Sequence, residues 1–353
     1  MREAVDRLKR YARKRIADDE EDLLTDYVGD ILHKRGDAVF NDLLAPEHCS
    51  FGFRTPYFAD FNERQRLALN HWAHRMQYRK ITDGEKFLLV VNGLIADLIE
   101  PGAPEIAELL RRESDEERDH IAAFTLLGQN TERFYGYDHV RFPTKPLRHV
   151  FVSRPFCRWL TGYFGSDFMV AFFLGRGIAN HLGKGFELAV ASTGTSSNQA
   201  LHHLTHLHSL HENHHTGVST LLSSCAHDVA CQEEKRGVIR DIMVELMHRA
   251  VVWSTFAHKP TRTNQTQLSY LALRAMPAFR DRDDAFLQEL VRSHFAAESG
   301  VEAVQNAHIP KLNARLVRNA QMRPDLKRKW VSNMRRDPGN QTWFPSGWEV
   351  EQA

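Results

Sequence analysis

The chain has 353 residues, of which 42% are hydrophobic and 26% are charged, and its formal net charge is +1. This length can bury a sizeable core, and the near-zero charge gives no electrostatic footprint for nucleic acid or an anionic membrane surface. No apolar run approaches the length that spans a bilayer, and the charged N-terminus lacks the apolar segment of a secretory signal. The four cysteines show neither disulfide-scaffold nor CxxC spacing. We therefore expect a cytoplasmic protein with neither a nucleic-acid nor a membrane partner.

Helical periodicity dominates the sequence, and no stretch reads as an alternating strand, so a single all-α domain over 1–353 is predicted. Residues 47–60 are rich in glycine, proline and aromatic residues and predict a loop, and the tail after residue 336 is expected to be irregular. Apolar residues at helical spacing predict helices over 3–35 (as one or two helices), 62–78, 83–99, 105–127, 167–191, 198–223, 232–257, 282–305 and 311–334.

Two helical hairpins follow each other in the middle of the chain. Pro101-Gly102-Ala103-Pro104 breaks the helical pattern after the first helix of one hairpin, and residues 192–197, rich in serine, threonine and glycine, do the same in the other. Consecutive hairpins predict a ferritin-like four-helix bundle. We assign this core to 60–223, with flanking helices over 224–335 and an irregular tail over 336–353.

Each hairpin carries a Glu-x-x-His motif in its second helix, Glu117 to His120 and Glu212 to His215. Positions i and i+3 of a helix point the same way, so each pair can offer a carboxylate and an imidazole to one metal ion. Both pairs lie on stripes of apolar residues, where ionisable groups are costly unless they are paired or bind a metal. Surface charges or a salt bridge would explain one such stripe, but two of them in matching hairpins favour a two-metal centre.

The first helix of each hairpin is expected to add one further ligand. Glu85 lies 32 residues before Glu117, and the corresponding position in the second hairpin, 31 residues before Glu212, is His181. Glu187 in the same helix has the usual ligand chemistry, although its neighbours suggest a more polar face. Position favours His181 and chemistry favours Glu187. We take His181 as the expected ligand and Glu187 as the alternative.

His208 extends the second motif to His-x-x-x-Glu-x-x-His, which places His208, Glu212 and His215 on one helical face. His211 borders this face and is expected to support the ligands rather than to bind metal itself.

Together, Glu85, the segment EERDH (116–120) and the later His-x-x-x-Glu-x-x-His resemble the p-aminobenzoate N-oxygenase family over about residues 60–220. That resemblance implies a biosynthetic oxidoreductase with two iron ions, dioxygen as co-substrate and an external electron donor. It also implies an arylamine-like substrate, oxidised to a hydroxylamine, nitroso or nitro product. The family places a carboxylate where this chain offers His181 by position or Glu187 by type. The implied ligands are Glu85, Glu117, His120, His208, Glu212 and His215, with His181 or Glu187 as the seventh.

Other functions are compatible with parts of this pattern. The same scaffold supports a di-iron hydroxylase or desaturase that acts on a C–H substrate, or an iron-storing bundle. His211, Glu212 and His215 also spell the H-E-x-x-H signature of zinc metalloproteases. A homodimer is compatible with the sequence, which does not fix the oligomeric state.

Overall fold

The computed structural model describes residues 2–17, 23–141, 154–192, 199–231, 238–256 and 258–296. Within these ranges the chain forms α-helices, turns and four short 3₁₀ helices (Gly36–Asn41, Glu47–Cys49, Phe58–Asp60 and Pro277–Phe279). It contains no strand there, so the predicted all-α fold is confirmed. No helix in them is long and apolar enough to cross a membrane. The helices are α1 (Arg2–Ala17), α2 (Leu24–Arg35), α3 (Glu63–Ile99), α4 (Pro104–Phe134), α5 (Arg154–Phe164), α6 (Ser166–Ser192), α7 (Gln199–Ala230), α8 (Val238–Phe256), α9 (His258–Ala275) and α10 (Asp284–Ala296).

The core consists of two helical hairpins, consistent with a ferritin-like bundle. Helix α3 packs along α4, α6 packs along α7, and α7 also contacts α4. Asn62 caps α3 in a capping box, because its side chain accepts a hydrogen bond from the Gln65 backbone N–H while the Gln65 side chain accepts one from the Asn62 N–H. Pro104 occupies the first turn of α4, where its missing N–H costs nothing.

Helix α3 differs from the prediction, because it runs without interruption from Glu63 to Ile99 where the sequence pattern suggests two helices, 62–78 and 83–99. A glycine inside a helix costs about 1 kcal/mol relative to alanine. Gly84 is nevertheless accommodated, because large side chains on both sides of it, including Trp72 and Ile95, are buried in the core.

Two helices, α5 and α9, were not predicted, and α7 continues seven residues beyond the expected end at residue 223. The predicted helix over 232–257 corresponds to α8, and the one over 282–305 to α10. The predicted helix 311–334, the irregular tail 336–353 and most of the break at 192–197 lie outside the described residues. The assignment of domain boundaries stays a prediction.

The long helices bury apolar residues in two clusters that are separated along each helix. One cluster includes Trp72, Phe124 and Leu204, and the other includes Ile95, Leu110 and Val218. On α3, α4 and α7, the residues between the two clusters include buried glutamates and histidines. The fold thus places a polar layer between two apolar layers.

Candidate metal centre

The polar layer contains the ionisable residues predicted from the two Glu-x-x-His motifs. Each of these side chains is almost completely buried, with at most 6% of its surface exposed: Glu85 on α3, Glu117 and His120 on α4, and His208, Glu212 and His215 on α7. Burial of so many ionisable groups is expensive unless they are paired or bind cations. The structure therefore brings together all six side chains that the sequence singled out on these three helices.

These residues form two groups with metal-binding spacing. In the first, ligand atoms of Glu85, His120, His208 and Glu212 lie within 4.8 Å of one another. In the second, ligand atoms of Glu117, Glu212 and His215 satisfy the same condition. Because Glu212 belongs to both, the two groups are adjacent.

Two carboxylates reach both groups. Glu212 Oε1 lies 3.6 Å from His208 Nε2 and 3.5 Å from His215 Nδ1. Glu117 Oε2 lies 3.5 Å from His120 Nδ1, and Glu117 Oε1 lies 3.2 Å from His215 Nδ1. Each Glu-x-x-His motif thus supplies one carboxylate that can bridge a pair of metal ions.

The inward-facing atoms of this cluster have no hydrogen-bond partner among the described residues. They include His120 Nδ1, His208 Nε2, His215 Nδ1 and both carboxylate oxygens of Glu85. A buried polar atom without a partner costs about 1–3 kcal/mol, so a set of them facing one another needs an explanation. Imidazole nitrogens and carboxylate oxygens that converge in this way fit two coordinated cations.

The outer nitrogen of each histidine is held by another side chain. His215 Nε2 donates to Glu116 Oε2 at 2.8 Å, and His208 Nδ1 donates to Glu187 Oε1. His120 Nε2 lies 3.0 Å from His211 Nδ1. In metalloproteins such outer partners fix the tautomer and orientation of a ligating imidazole. All three histidines share this arrangement, with one nitrogen held and the other presented to the cluster.

The carboxylates of the cluster favour charged histidines. Burial opposes the charge on His208 and His215, but neighbouring carboxylates outweigh it and raise the pKa of both well above the usual range. Burial would raise the pKa of Glu117, yet His215 and its other neighbours hold that pKa well below its ordinary value. Burial and the nearby His120 lower the pKa of His211 to about 4. Metal binding at this cluster would therefore displace protons.

The predicted ligand on the second hairpin's first helix has two candidates, and the structure describes the side chain of one. His181 lies in α6, but its side chain falls outside the described residues. Glu187 does not lie on a polar face as the pattern suggested: it is 1% exposed and contacts His208 and the Tyr78 hydroxyl. It belongs to neither ligand group. The choice between the two stays a prediction.

The H-E-x-x-H interpretation requires His211 and His215 to bind the same ion, with Glu212 standing apart as a base. In the structure Glu212 lies inside both ligand groups, while His211 lies in neither and contacts His120 instead. The geometry gives the protease interpretation no support.

The sequence pattern did not identify Arg176 and Glu113, and it assigned no role to Glu116. Arg176 on α6 has no exposed side-chain surface and donates to Glu117 Oε1 at 3.0 Å and to Glu113 Oε2. Glu116, quoted only as part of the motif, contacts both His215 and, at 3.3 Å, Arg15. A single arginine within the apolar start of α6 was the available signal, because a charge on such a helix needs a buried partner.

The charge of the layer is compatible with two divalent cations. Five carboxylates lie deep in the layer, and Arg176 is the one arginine or lysine that pairs with any of them among the described side chains. With all five ionised and the histidines neutral, four negative charges remain, which two divalent ions would neutralise. Without a cation, protonated His208 and His215 offset part of this negative charge. The five carboxylates are those of Glu85, Glu113, Glu117, Glu187 and Glu212.

Comparison with known families gives one match. Residues 41–136, about a quarter of the chain, match a family described as acyl halogenase, CylC-like, which is of a di-iron, ferritin-like-related type. The matched segment includes Glu85, Glu117 and His120 and ends before α6 and α7. No curated protein and no solved structure matches the chain. The match and the buried cluster together indicate a metal-dependent enzyme, and the match does not confirm the p-aminobenzoate N-oxygenase resemblance.

Proposed function

We propose that this protein is a non-heme di-iron enzyme that uses dioxygen to oxidise a small organic substrate. The observation that carries the proposal is the arrangement of His120, His208 and His215. Each presents to a shared set of carboxylates a nitrogen that makes no hydrogen bond, while its other nitrogen is held from outside. A buried network of salt bridges alone gives no reason for three inward nitrogens to lack hydrogen bonds.

The donor set suits two iron ions. Mixed imidazole and carboxylate ligation, with few donors per ion, is typical of iron sites that react with dioxygen. Glu85, His120 and His208 would hold one ion and His215 the other, with Glu117 and Glu212 shared between them. Bound ferrous ions would supply the electrons and open coordination positions for dioxygen activation.

The chain itself supplies the surroundings for this chemistry. Apolar layers on both sides of the cluster exclude bulk water, which strengthens electrostatic interactions within it and suppresses side reactions. Glu116, Glu187 and His211 fix the orientation of the three imidazoles. Repeated turnover would require an external electron donor.

Two substrate classes follow from the two likenesses. The Glu-x-x-His and His-x-x-x-Glu-x-x-His motifs resemble the N-oxygenases, which supports oxidation of an arylamine to its hydroxylamine, nitroso or nitro product. The match over residues 41–136 to a family named for acyl halogenation supports a second candidate, oxidation at a C–H bond of an acyl chain. The first remains our main proposal because its motifs extend across both hairpins.

Oxygen uptake with defined substrates tests the proposal. Protein reconstituted with ferrous iron under anaerobic conditions is reduced, then exposed to oxygen with arylamines in one series and acyl chains, with and without halide, in another. We expect substrate-dependent oxygen consumption and an oxidised product by mass spectrometry in one series. Glu212→Gln should abolish both, while Glu108→Gln, an exposed site on α4, should leave both unchanged. Iron-loaded protein that consumes no oxygen with either class would refute the proposal.

A further inference from the structure

We propose that Arg176 is a positioning residue that fixes the orientation of Glu117 as a metal-bridging carboxylate. This inference rests on the proposed two-ion centre. Arg176 belongs to none of the sequence motifs, and it lies on α6, the helix opposite the one that carries Glu117.

The contacts of Arg176 define a clamp on α4. One terminal nitrogen donates to Glu113 and the other donates to Glu117 Oε1 at 3.0 Å. Glu113 and Glu117 are four residues apart, so they project from the same face of α4, one turn from each other. The planar guanidinium therefore spans two successive turns, which a single-point ammonium cannot do with the same geometry.

The contact with Arg176 fixes the direction in which each carboxylate oxygen of Glu117 points. Arg176 holds Oε1, which lies 3.2 Å from His215 Nδ1, and this leaves Oε2 directed towards His120 Nδ1 at 3.5 Å. A carboxylate held in this way presents one oxygen to each ligand group. Without Arg176, a rotation of the Glu117 carboxylate would turn both oxygens towards one group and remove the bridge.

Arg176 also restrains Glu113, a buried carboxylate that belongs to neither ligand group. Glu113 Oε1 has no hydrogen-bond partner among the described residues, so this side chain is a potential competitor for a cation. Its pairing with Arg176 keeps it one turn away from the cluster. The same guanidinium contacts both buried carboxylates, so its one positive charge offsets one of their two negative charges.

Arg176 lies where α6 packs against α7. A Cβ at the next residue, Gly177, would lie in ordinary van der Waals contact, 3.8 Å from the Ser219 side chain, so the two helices are packed against each other there. The Arg176 side chain is completely buried and has no direct path to solvent. The arginine is therefore held between the two hairpins and acts on α4 from a fixed position.

Arg176 could position Glu117 or only stabilise the fold through its salt bridges, and substitutions distinguish these two roles. Arg176→Met removes the clamp and leaves two uncompensated carboxylates. Arg176→Met combined with Glu113→Gln removes one of these carboxylates. Arg176→Lys keeps the positive charge but loses the two terminal nitrogens that contact Glu113 and Glu117 separately. Arg118→Met is the matched control, because Arg118 forms an exposed pair with Asp115 on the same helix α4.

The readouts are ferrous-iron affinity by competition with a chelator, iron per chain, and the thermal unfolding midpoint of the metal-free protein. We expect Arg176→Met to lower the unfolding midpoint and to weaken binding of at least one ion by about 10- to 100-fold, the usual effect of losing an outer partner of a metal ligand. The double variant and Arg176→Lys should recover the midpoint but not the affinity. Arg118→Met should match wild type in both.

Recovery of wild-type iron affinity together with the midpoint, in either the double variant or Arg176→Lys, would overturn the inference and leave a salt bridge that only stabilises the fold. Wild-type protein that binds no iron would overturn both this inference and the proposed function. Wild-type protein that binds two irons but never consumes oxygen would refute the oxygenase proposal alone. In that case a loss of affinity in the Arg176 variants would still support the positioning role.

Discussion

Glu187 offers a direct test of how the cluster is organised. Its Oε1 accepts a hydrogen bond from His208 Nδ1 and lies 3.5 Å from the Tyr78 hydroxyl, and it is not one of the carboxylates in the two ligand groups. In this position it orients His208 rather than binding an ion. Loss of such a partner weakens metal binding by about 10- to 100-fold, or about 1.4–2.7 kcal/mol.

Glu187→Gln should therefore retain two irons per chain at saturating iron but release one of them more readily to a competing chelator. Tyr78→Phe removes the weaker contact to Glu187, together with a contact to the Thr205 hydroxyl, and should have a smaller effect on iron binding. The exposed control Glu108→Gln should have none. Iron titration followed by chelator competition measures both quantities. A fall to one iron per chain at saturation would refute this reasoning and make Glu187 a direct ligand. Retention of both ions would leave His181 as the candidate seventh ligand, which a His181→Ala variant tests.

Three further predictions concern the scaffold, each measured by urea unfolding of the metal-free protein. Asn62→Ala removes the cap of α3 and should cost about 1 kcal/mol; no change would show that the capping box is dispensable. Asn70→Ala removes buried hydrogen bonds to the backbone of residues 44 and 45 and should cost about 3 kcal/mol, whereas a cost below about 1 kcal/mol would contradict the buried network. Burial lowers the pKa of His71 to about 4. Below about pH 6.5 this histidine is therefore protonated in the unfolded chain but stays neutral in the folded chain, so it makes the free energy of unfolding fall between pH 6.5 and 4. His71→Gln should remove about 3 kcal/mol of that loss, and an unchanged pH slope would contradict the pKa assignment.

Much of the fold was predictable because particular residues mark where its helices begin and end. Pro101 to Pro104 ends one helix and starts the next, and the capping residue Asn62 marks the start of α3. The continuity of α3 through Gly84 was not predictable, because it depends on packing along the length of α4 rather than on local propensity. The short helix α5 has 11 residues and contains Pro155 and Gly162, which locally favour a loop.

The candidate site was predictable where its residues follow helical spacing. The i, i+3 pairs Glu117–His120 and Glu212–His215 project together on any helix, and the apolar stripe around each indicated burial. The sequence did not predict which face of α6 points towards the cluster. The first part of that helix is buried on all sides and therefore has no single apolar face. The roles of Arg176 and Glu187 therefore became visible only with their partners on α4 and α7 in place.

The metal content of the protein tests the central claim most directly. Protein expressed with iron supplementation would be analysed for iron, manganese and zinc in the same sample, beside Glu212→Gln and Glu108→Gln. We predict about two irons per chain in wild type and in Glu108→Gln, and loss of iron in Glu212→Gln, because Glu212 belongs to both ligand groups. One zinc and no iron in wild type, or two irons retained in Glu212→Gln, would contradict the account.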